Sequence, residues 1–260
     1  MTSNSLQDAV AELAAAQVLA KPVAYEIDGT AHEGWLVHSA SLAAPRPGLL
    51  MVPNWMGVTG NALKKAARVA GERYVVFVAD LYGSAVRPQN ADEAGAAIGP
   101  LGADRGLLRK RAQAALTTFQ AQAGEAQLDP DRLGAIGFCF GGCTVLEMAR
   151  AGVPLKGFVS LHGTLDTPNP ADAHNIRGPI LVLHGANDPL VPQTQVQGFI
   201  AEMQAAPGVD WQLVQYGGAV HSFSNPAANI PGMTEYHPVV AARAFRALDD
   251  FFSEAFAPRV

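Results

Sequence analysis

The chain has 260 residues, 49% of them hydrophobic and 16% charged, with a formal net charge of −5. This composition provides enough apolar side chains for a full core, and the negative charge argues against a nucleic-acid or anionic-membrane surface. No uninterrupted run of about 18 apolar residues is present, so we expect neither a membrane span nor a membrane partner.

The N-terminal residues 1–20 are predicted to be a helical extension. Residues 6–20 are rich in alanine, and the interruptions at Asp8 and Glu12 argue against a secretion signal. The two cysteines, Cys139 and Cys143, lie one helical turn apart and cannot close a normal disulfide, which indicates a reducing compartment. We therefore expect a cytoplasmic protein, with a periplasmic one as the alternative if a signal has been removed from the chain.

Strand and helix patterns alternate along most of the chain, after an antiparallel hairpin with strands at 23–27 and 32–37. Further strands are predicted at 48–53, 74–79, 133–138, 157–162, 180–184 and 211–216, and helices at 61–73, 103–123, after residue 139, 193–205 and 239–252. This alternation predicts an α/β fold with a mainly parallel central sheet, an antiparallel N-terminal edge hairpin and helices on both faces. At this length we expect a single domain over residues 1–260. Residues 82–102 and 225–237 are predicted to be irregular and are candidates for the wall or lid of a pocket.

A candidate nucleophile lies in residues 135–142, which read Ala-Ile-Gly-Phe-Cys-Phe-Gly-Gly, a strand-like run that turns into a helix-like one. The Gly-x-Cys-x-Gly-Gly pattern is typical of a nucleophile elbow, in which a strained turn exposes the nucleophile above a sheet. The flanking glycines are needed because a Cβ there would collide with the neighbouring strand and helix. Cys139 is therefore the candidate nucleophile, and the N-terminus of the following helix favours its thiolate form.

Two later segments supply an acid and a base in the chain order that this architecture demands. Asp188 follows the strand-like run 180–184, and His221 follows the run 211–216. Active sites of parallel sheets lie at the carboxyl ends of strands, where both residues and the cysteine are predicted to fall. His221 would take the thiol proton, and Asp188 would orient the imidazole and stabilise its charged form. The backbone N–H of Phe140, the residue after the nucleophile, would stabilise the oxyanion.

The chain resembles the dienelactone hydrolase family of α/β-hydrolases through four short motifs in the correct order. They are Gly137-Phe-Cys-Phe-Gly-Gly142, Asn187-Asp188, His221-Ser-Phe223 and Asp80-Leu-Tyr-Gly83. The resemblance extends from about residue 23 to the last helix, and it implies an α/β-hydrolase fold and cofactor-free hydrolysis of an ester or lactone, without a metal. By the family's pattern, Trp55 provides the second oxyanion N–H.

The chain also departs from the family's prototypes. Asn54 stands where the prototypes have a glutamate that pairs with the cysteine, so a carboxylate relay is not available. Ser84 and Asn225 stand where the prototypes have arginines that bind the dienelactone carboxylate, and Arg87 matches them only loosely. A small neutral ester or lactone therefore fits better, with an activated phosphotriester as a side substrate of the thiolate. The predicted substrate pocket consists of Asn54, Met56, Tyr82, Ser84, Arg87 and Phe223, with Trp55 beside it.

Other interpretations of the same residues remain open. Cys139 could be a buried structural thiol, Asp188 a helix cap and His221 an ordinary loop histidine. At the level of function, the alternatives are a non-catalytic binding protein with the α/β-hydrolase fold and a thiol redox enzyme that uses Cys139 with Cys143. The oligomeric state is also open, between a monomer and a homodimer.

Overall fold

The structure, a computed structural model, describes residues 5–41 and 44–257. The described residues form two compact units, one up to Gly134 and one from Ala135 onward. None of the described helices is long and apolar enough to cross a membrane. The single domain over residues 1–260 stays a prediction.

The first unit combines the N-terminal strands with the helices that precede and follow them. Its elements are α1 (Leu6–Ala15), β1 (Val18–Ile27), β2 (Thr30–Ser39), β3 (Arg46–Val52), α2 (Gly60–Ala70), β4 (Val75–Val78), α3 (Ala91–Ala103), α4 (Arg105–Gln120), α5 (Ala123–Ala126) and the first part of β5 (Leu128–Phe138). β1 pairs antiparallel with β2, β2 antiparallel with β4, and β4 parallel with β3. The predicted N-terminal hairpin is therefore confirmed, and its turn has a positive φ at both Asp28 and Gly29 (50° and 76°), as a tight hairpin turn requires.

The N-terminal helix is shorter than predicted. α1 ends at Ala15, Gln17 has a positive φ of 59°, and β1 already begins at Val18. The prediction of helix up to residue 20 was wrong because β1 pairs with β2 from Val18 onward, and this pairing outweighs the intrinsic helix preference of the alanines. Residues 1–4 of the predicted extension lie outside the described residues.

The segment 82–102, predicted to be irregular, contains helix α3. The Asn90 side chain accepts a hydrogen bond from Glu93 N at 3.0 Å, and the Glu93 carboxylate accepts from Asn90 Nδ2 at 2.7 Å and from Gln89 N at 2.8 Å. These reciprocal bonds resemble a capping box and satisfy N–H groups that would otherwise lack partners at the start of the helix. The glycines and Pro100 inside α3 explain why its periodicity was not recognised.

The second unit contains the last part of β5 together with β6, β7 and β8, which pair parallel in this order. Its elements after β5 are α6 (Phe140–Arg150), β6 (Phe158–Leu161), a 3-10 turn (Pro170–Asn175), β7 (Ile180–Gly185), α7 (Gln193–Ala205), β8 (Trp211–Tyr216), β9 (Asn229–Ile230), β10 (Thr234–Glu235) and α8 (Pro238–Ala255). The short β9–β10 ladder lies in the segment 225–237, which is otherwise irregular as predicted. Strands that are mostly parallel, alternating with helices, confirm the predicted fold class.

The carboxyl ends of three parallel strands bring the candidate site together in the second unit. Cys139 N donates to Leu161 O at 3.0 Å, and His162 N donates to Leu183 O at 2.8 Å. Cys139, His162 and His184 therefore stand side by side along one edge, as the register of β5, β6 and β7 requires.

Candidate active site

Cys139 has the backbone of a nucleophile elbow. It links β5 to α6 with φ 55° and ψ −118°, a conformation that costs a non-glycine residue roughly 1–3 kcal/mol and is found mainly at functional sites. An added Cβ at Gly137 would lie 1.9 Å from Gly141 O, and one at Gly142 would lie 2.8 Å from Gly163 Cα. The expectation that the glycines permit close packing of strand and helix is confirmed. Cys139 keeps partial exposure, whereas Cys143, one turn deeper, is fully buried.

Asp188 and His221 form a buried pair in the same unit. His221 Nδ1 lies 2.8 Å from Asp188 Oδ2, and the two residues are 3% and 5% exposed. The other carboxylate oxygen of Asp188 accepts from Leu190 N at 2.9 Å and from Val191 N at 3.2 Å. Asp188 therefore also accepts backbone hydrogen bonds within its own turn, as a capping residue does. One carboxylate oxygen fixes the loop, and the other binds the imidazole of His221.

The surroundings of His221 favour its charged form. Burial alone would lower the pKa of His221, but hydrogen bonding and charge from Asp188 and Cys139 outweigh burial and raise that pKa to about 10. The sulfur of Cys139 thus helps to raise the pKa of His221, although no hydrogen bond of regular geometry joins His221 Nε2 to a described residue. A charged imidazole beside the sulfur is the arrangement that stabilises a thiolate.

Two further histidines lie beside this pair. His184 is 1% exposed, and neither of its ring nitrogens has a hydrogen-bond partner in the described part of the chain. Burial lowers the pKa of His184, Asp188 counteracts this effect, and the charge of His221 adds to it. His162 lies with its ring 5.3 Å from that of His221. Neither residue could be assigned to the site from the sequence, because a histidine at the end of a strand has no pattern that points to a catalytic site.

The second unit contains two aromatic residues that were predicted to belong to the site. Phe140 lies at the start of α6, and Phe223 lies in the core. Phe140 is the first residue of α6, where a backbone N–H has no acceptor within the helix. Phe223 is completely buried, and its ring packs edge-on against His162 at 5.1 Å and Tyr216 at 5.7 Å. Phe223 therefore has the position of a packing residue beneath the His221 loop, and its contact with substrate stays a prediction.

The predicted oxyanion and pocket residues Asn54, Trp55 and Met56 form a tight turn after β3 in the first unit. Asn54 Oδ1 accepts from Met56 N at 3.1 Å, and Asn54 O accepts from Gly57 N at 2.9 Å. Tyr82 Oη donates to Trp55 O at 2.8 Å and so ties this turn to the loop after β4. The oxyanion role of the Trp55 N–H stays a prediction, and the turn is held in one conformation by these bonds.

The Asp80-Leu-Tyr-Gly83 motif builds the loop after β4. Asp80 is 1% exposed, and its carboxylate accepts from Tyr82 N and Gly83 N at 3.0 Å each and from Arg87 Nη1 at 3.1 Å. Arg87 also donates to Gly83 O at 2.8 Å, and Ser84 Oγ donates to the backbone of β2 at 3.2 Å. The motif thus serves to hold this loop together through the Asp80 carboxylate. Because Arg87 is bound within the same loop, it is a weaker candidate for binding a substrate carboxylate.

A cavity of about 540 Å³ lies between this loop, α3 and α4, within the first unit. Its walls include two of the predicted pocket residues, Tyr82 and Arg87, together with Val86, Leu101 and Arg111. The volume is in the range of small-molecule sites, and the lining is mainly apolar. Among residues 5–41 and 44–257, no group of three or more His, Cys, Asp or Glu side chains is placed to hold a metal ion.

The mainly parallel sheet, the strained cysteine between strand and helix, and the acid and histidine on later loops define an α/β-hydrolase. The chain matches the dienelactone hydrolase family over residues 33–256. It belongs to that family and is a hydrolase.

The chain is also similar to individual proteins. The chain is similar to the crystal structure of a dienelactone hydrolase-like promiscuous phosphotriesterase from metagenomic libraries, with 36% identity, a TM-score of 0.86 and coverage of 93% of this chain and 100% of the other. An uncharacterized protein of Caenorhabditis elegans is 34% identical over 157 residues, which is 58% of this chain and 96% of the relative. A carboxymethylenebutenolidase homolog of Mus musculus is 27% identical over 97 residues, 37% of this chain and 39% of that relative.

Proposed function

We propose that this chain hydrolyses small neutral carboxylic esters or lactones, with Cys139 as the nucleophile, His221 as the proton carrier and Asp188 as the group that orients His221. The observation that supports this most directly is the buried Asp188–His221 pair beside a cysteine held at φ 55°. A structural thiol has no need of this backbone strain or of a neighbouring charged imidazole.

The acylation step starts from an ion pair. The pKa of His221 is raised to about 10, so the imidazole carries a proton at neutral pH, and we propose that this proton comes from the thiol of Cys139. The thiolate forms a bond to the substrate carbonyl carbon, and the carbonyl electron pair moves to the oxygen. When the tetrahedral intermediate collapses, the C–O bond to the leaving alcohol breaks and His221 donates its proton to that oxygen.

The deacylation step uses the neutral imidazole that acylation leaves behind. His221 takes a proton from water, and the resulting hydroxide forms a bond to the thioacyl carbon. The C–S bond then breaks, the acid leaves, and the pair of thiolate and imidazolium is restored. Asp188 keeps the ring in the orientation that both steps need.

Two backbone N–H groups are proposed to stabilise the oxyanion, those of Phe140 and Trp55. Neither group donates to a backbone or side-chain acceptor in the part of the chain that the structure describes. Donors left without a protein acceptor are available to a developing negative charge, and losing one such donor typically costs about 10²- to 10³-fold in turnover.

The proposed preference for neutral substrates follows from the side chains at the positions where this chain differs from the family's prototypes. Asn54, Ser84 and Asn225 are uncharged, and Asn225 is used in a turn in which its side chain accepts from Ala227 N at 3.2 Å. Arg87 is paired with Asp80. No arginine is therefore free at the positions where the family's prototypes bind a carboxylate.

A substrate screen tests this proposal. Wild-type enzyme is expected to hydrolyse p-nitrophenyl butyrate and a neutral γ-lactone faster than an anionic dienelactone. Cys139→Ala is expected to lose at least about 100-fold in kcat/KM, because a triad acts as a unit, while Cys143→Ala serves as the matched control and keeps activity. A Cys139→Ala variant that keeps more than a small fraction of the activity would overturn the assignment.

A second activity, hydrolysis of activated phosphotriesters, is supported by the similarity to the promiscuous phosphotriesterase. Thiolate attack on phosphorus places negative charge on the phosphoryl oxygen, which the same two N–H groups would stabilise. Paraoxon hydrolysis should fall together with ester hydrolysis in Cys139→Ala. Paraoxon hydrolysis that survives this substitution would show that the sulfur is not its nucleophile.

A further inference from the structure

The second unit contains a buried contact between His162, at the end of β6, and the loop that holds His221. His162 is 2% exposed, and its Nε2 lies 2.8 Å from Ser224 Oγ, whose residue is 1% exposed. The ring of His162 packs edge-on against His221 at 5.3 Å and against Phe223 at 5.1 Å. The side chain of His162 thus contacts three of the four residues of the segment 221–224.

The backbone of His162, like that of Cys139, has a positive φ. Its φ is 41°, and Cys139 beside it on the neighbouring strand has a φ of 55°. Positive φ is uncommon for a residue other than glycine, although histidine tolerates it better than most, and it occurs at tight turns and at functional sites. Two adjacent parallel strands therefore both end in a residue of positive φ at the edge where the reaction is proposed to occur.

The other supports of the His221 loop act from different directions. Asp188 holds the imidazole at Nδ1 at 2.8 Å, and the backbone oxygen of His221 accepts from Glu235 N at 3.0 Å. Ser222, the next residue, has a positive φ of 59°, so the loop leaves the histidine through a tight turn. Within the described residues, the side-chain hydrogen bond between His162 and Ser224 joins this loop to the end of β6.

We propose that His162 and Ser224 form a positioning pair that holds the ring of His221 in line with the sulfur of Cys139. The pair does not touch the reacting atoms and acts through the loop 221–224. This inference rests on the proposed function, because it concerns the placement of the proton carrier. Without the pair, His221 would keep its bond to Asp188 but would sample positions from which Nε2 does not reach the thiol or the leaving group.

Such a role affects the chemical step rather than substrate binding. A misplaced catalytic group can cost up to about 100-fold in rate even when the change lies away from the chemistry. Ser224→Ala is therefore expected to lower kcat by about 10- to 100-fold and to leave KM within about twofold. His162→Phe, which keeps the edge-on ring but removes the hydrogen bond, should have a similar effect.

The matched control is Ser160→Ala. Ser160 lies on β6 two residues before His162, is fully buried, and its hydroxyl has no hydrogen-bond partner among the described residues. This substitution removes a buried hydroxyl from the same strand without touching the pair. Its kcat is expected to stay within about twofold of the wild-type value, since no hydrogen bond is broken.

The experiment measures kcat and KM for p-nitrophenyl butyrate, with kcat expressed per folded protein measured by circular dichroism, so that misfolded protein is not counted. The double variant His162→Phe/Ser224→Ala should be no slower than the slower single variant, because both substitutions remove one shared bond. Wild-type kcat in both single variants, or additive losses in the double variant, would overturn the positioning pair. Cys139→Ala in the same series separates the two proposals: if that variant stays active, the proposed nucleophile is wrong, and the positioning pair falls with it.

Discussion

The charge on His221 is the residue-scale feature on which the proposed mechanism depends. A pKa raised from 6.5 to about 10 means that the folded protein holds this proton more tightly than the unfolded chain does. The resulting stabilisation is present at lower pH and is lost as the pH rises through about 10.

We therefore predict that the free energy of unfolding decreases more steeply between pH 7 and pH 10 in the wild-type protein than in His221→Gln. Urea unfolding at several pH values measures this difference, and the variant corrects for every other group that titrates in the same range. Parallel pH profiles for the two proteins would show that His221 is not held in its charged form.

Backbone strain at Cys139 leads to a second residue-scale prediction. Glycine adopts positive φ without the cost that alanine pays, so Cys139→Gly is expected to be more stable than Cys139→Ala by about 1–2 kcal/mol. At Cys143, inside helix α6, the order should be reversed, with the glycine variant less stable by about 1 kcal/mol. Thermal or urea unfolding of the four variants provides the comparison. Equal stability of the two Cys139 variants would mean that the elbow stores no strain.

At the scale of elements, helix α3 shows what the sequence pattern did not reveal. Asn90, Asp92 and Glu93 are typical of a helix start, but the glycines and Pro100 that follow are typical of loops, and the loop interpretation was chosen. The helix forms because its first turn is capped and because Ala94 and Leu101 are completely buried. In α3 a capped first turn and buried side chains therefore outweigh the internal glycines.

The cap of α3 is expected to contribute measurably to stability. Replacing a capping asparagine by alanine usually costs about 1 kcal/mol, so Asn90→Ala should lower the free energy of unfolding by that amount. Since α3 forms part of the wall of the cavity in the first unit, the same variant tests whether this wall contacts substrate. A change in KM for larger esters would support a substrate-binding role of the cavity, and an unchanged KM for every ester would contradict it.

At the scale of the whole molecule, the fold could be predicted because it depends on patterns within short segments. Buried strands such as β7 and the elbow after β5 have local signatures, and the chain order of nucleophile, acid and histidine restricted the choice of partners for Cys139. The Asp188–His221 contact at 2.8 Å agrees with that choice.

The contacts that could not be predicted join side chains far apart in the chain. His162 meets Ser224 across 62 positions, and Tyr25 donates to Asp80 O across 55, at 2.6 Å. Single strand-end residues of this kind have no periodicity or spacing that points to a partner. The salt bridge between Arg87 and Asp80, at 3.1 Å, likewise has no signature in the sequence. The sequence alone therefore leaves Arg87 as a candidate substrate ligand.

If Cys139 is the nucleophile, it is acylated during turnover, and the acyl-enzyme can be trapped. Wild-type protein is mixed with p-nitrophenyl butyrate, quenched in acid within milliseconds to seconds, digested and analysed by mass spectrometry. We predict one butyryl group on the peptide that contains Cys139, and greater accumulation of it in Asp188→Asn, since deacylation depends on an oriented His221. Turnover of the ester without any acyl adduct on Cys139, together with full activity of Cys139→Ala, would contradict the account.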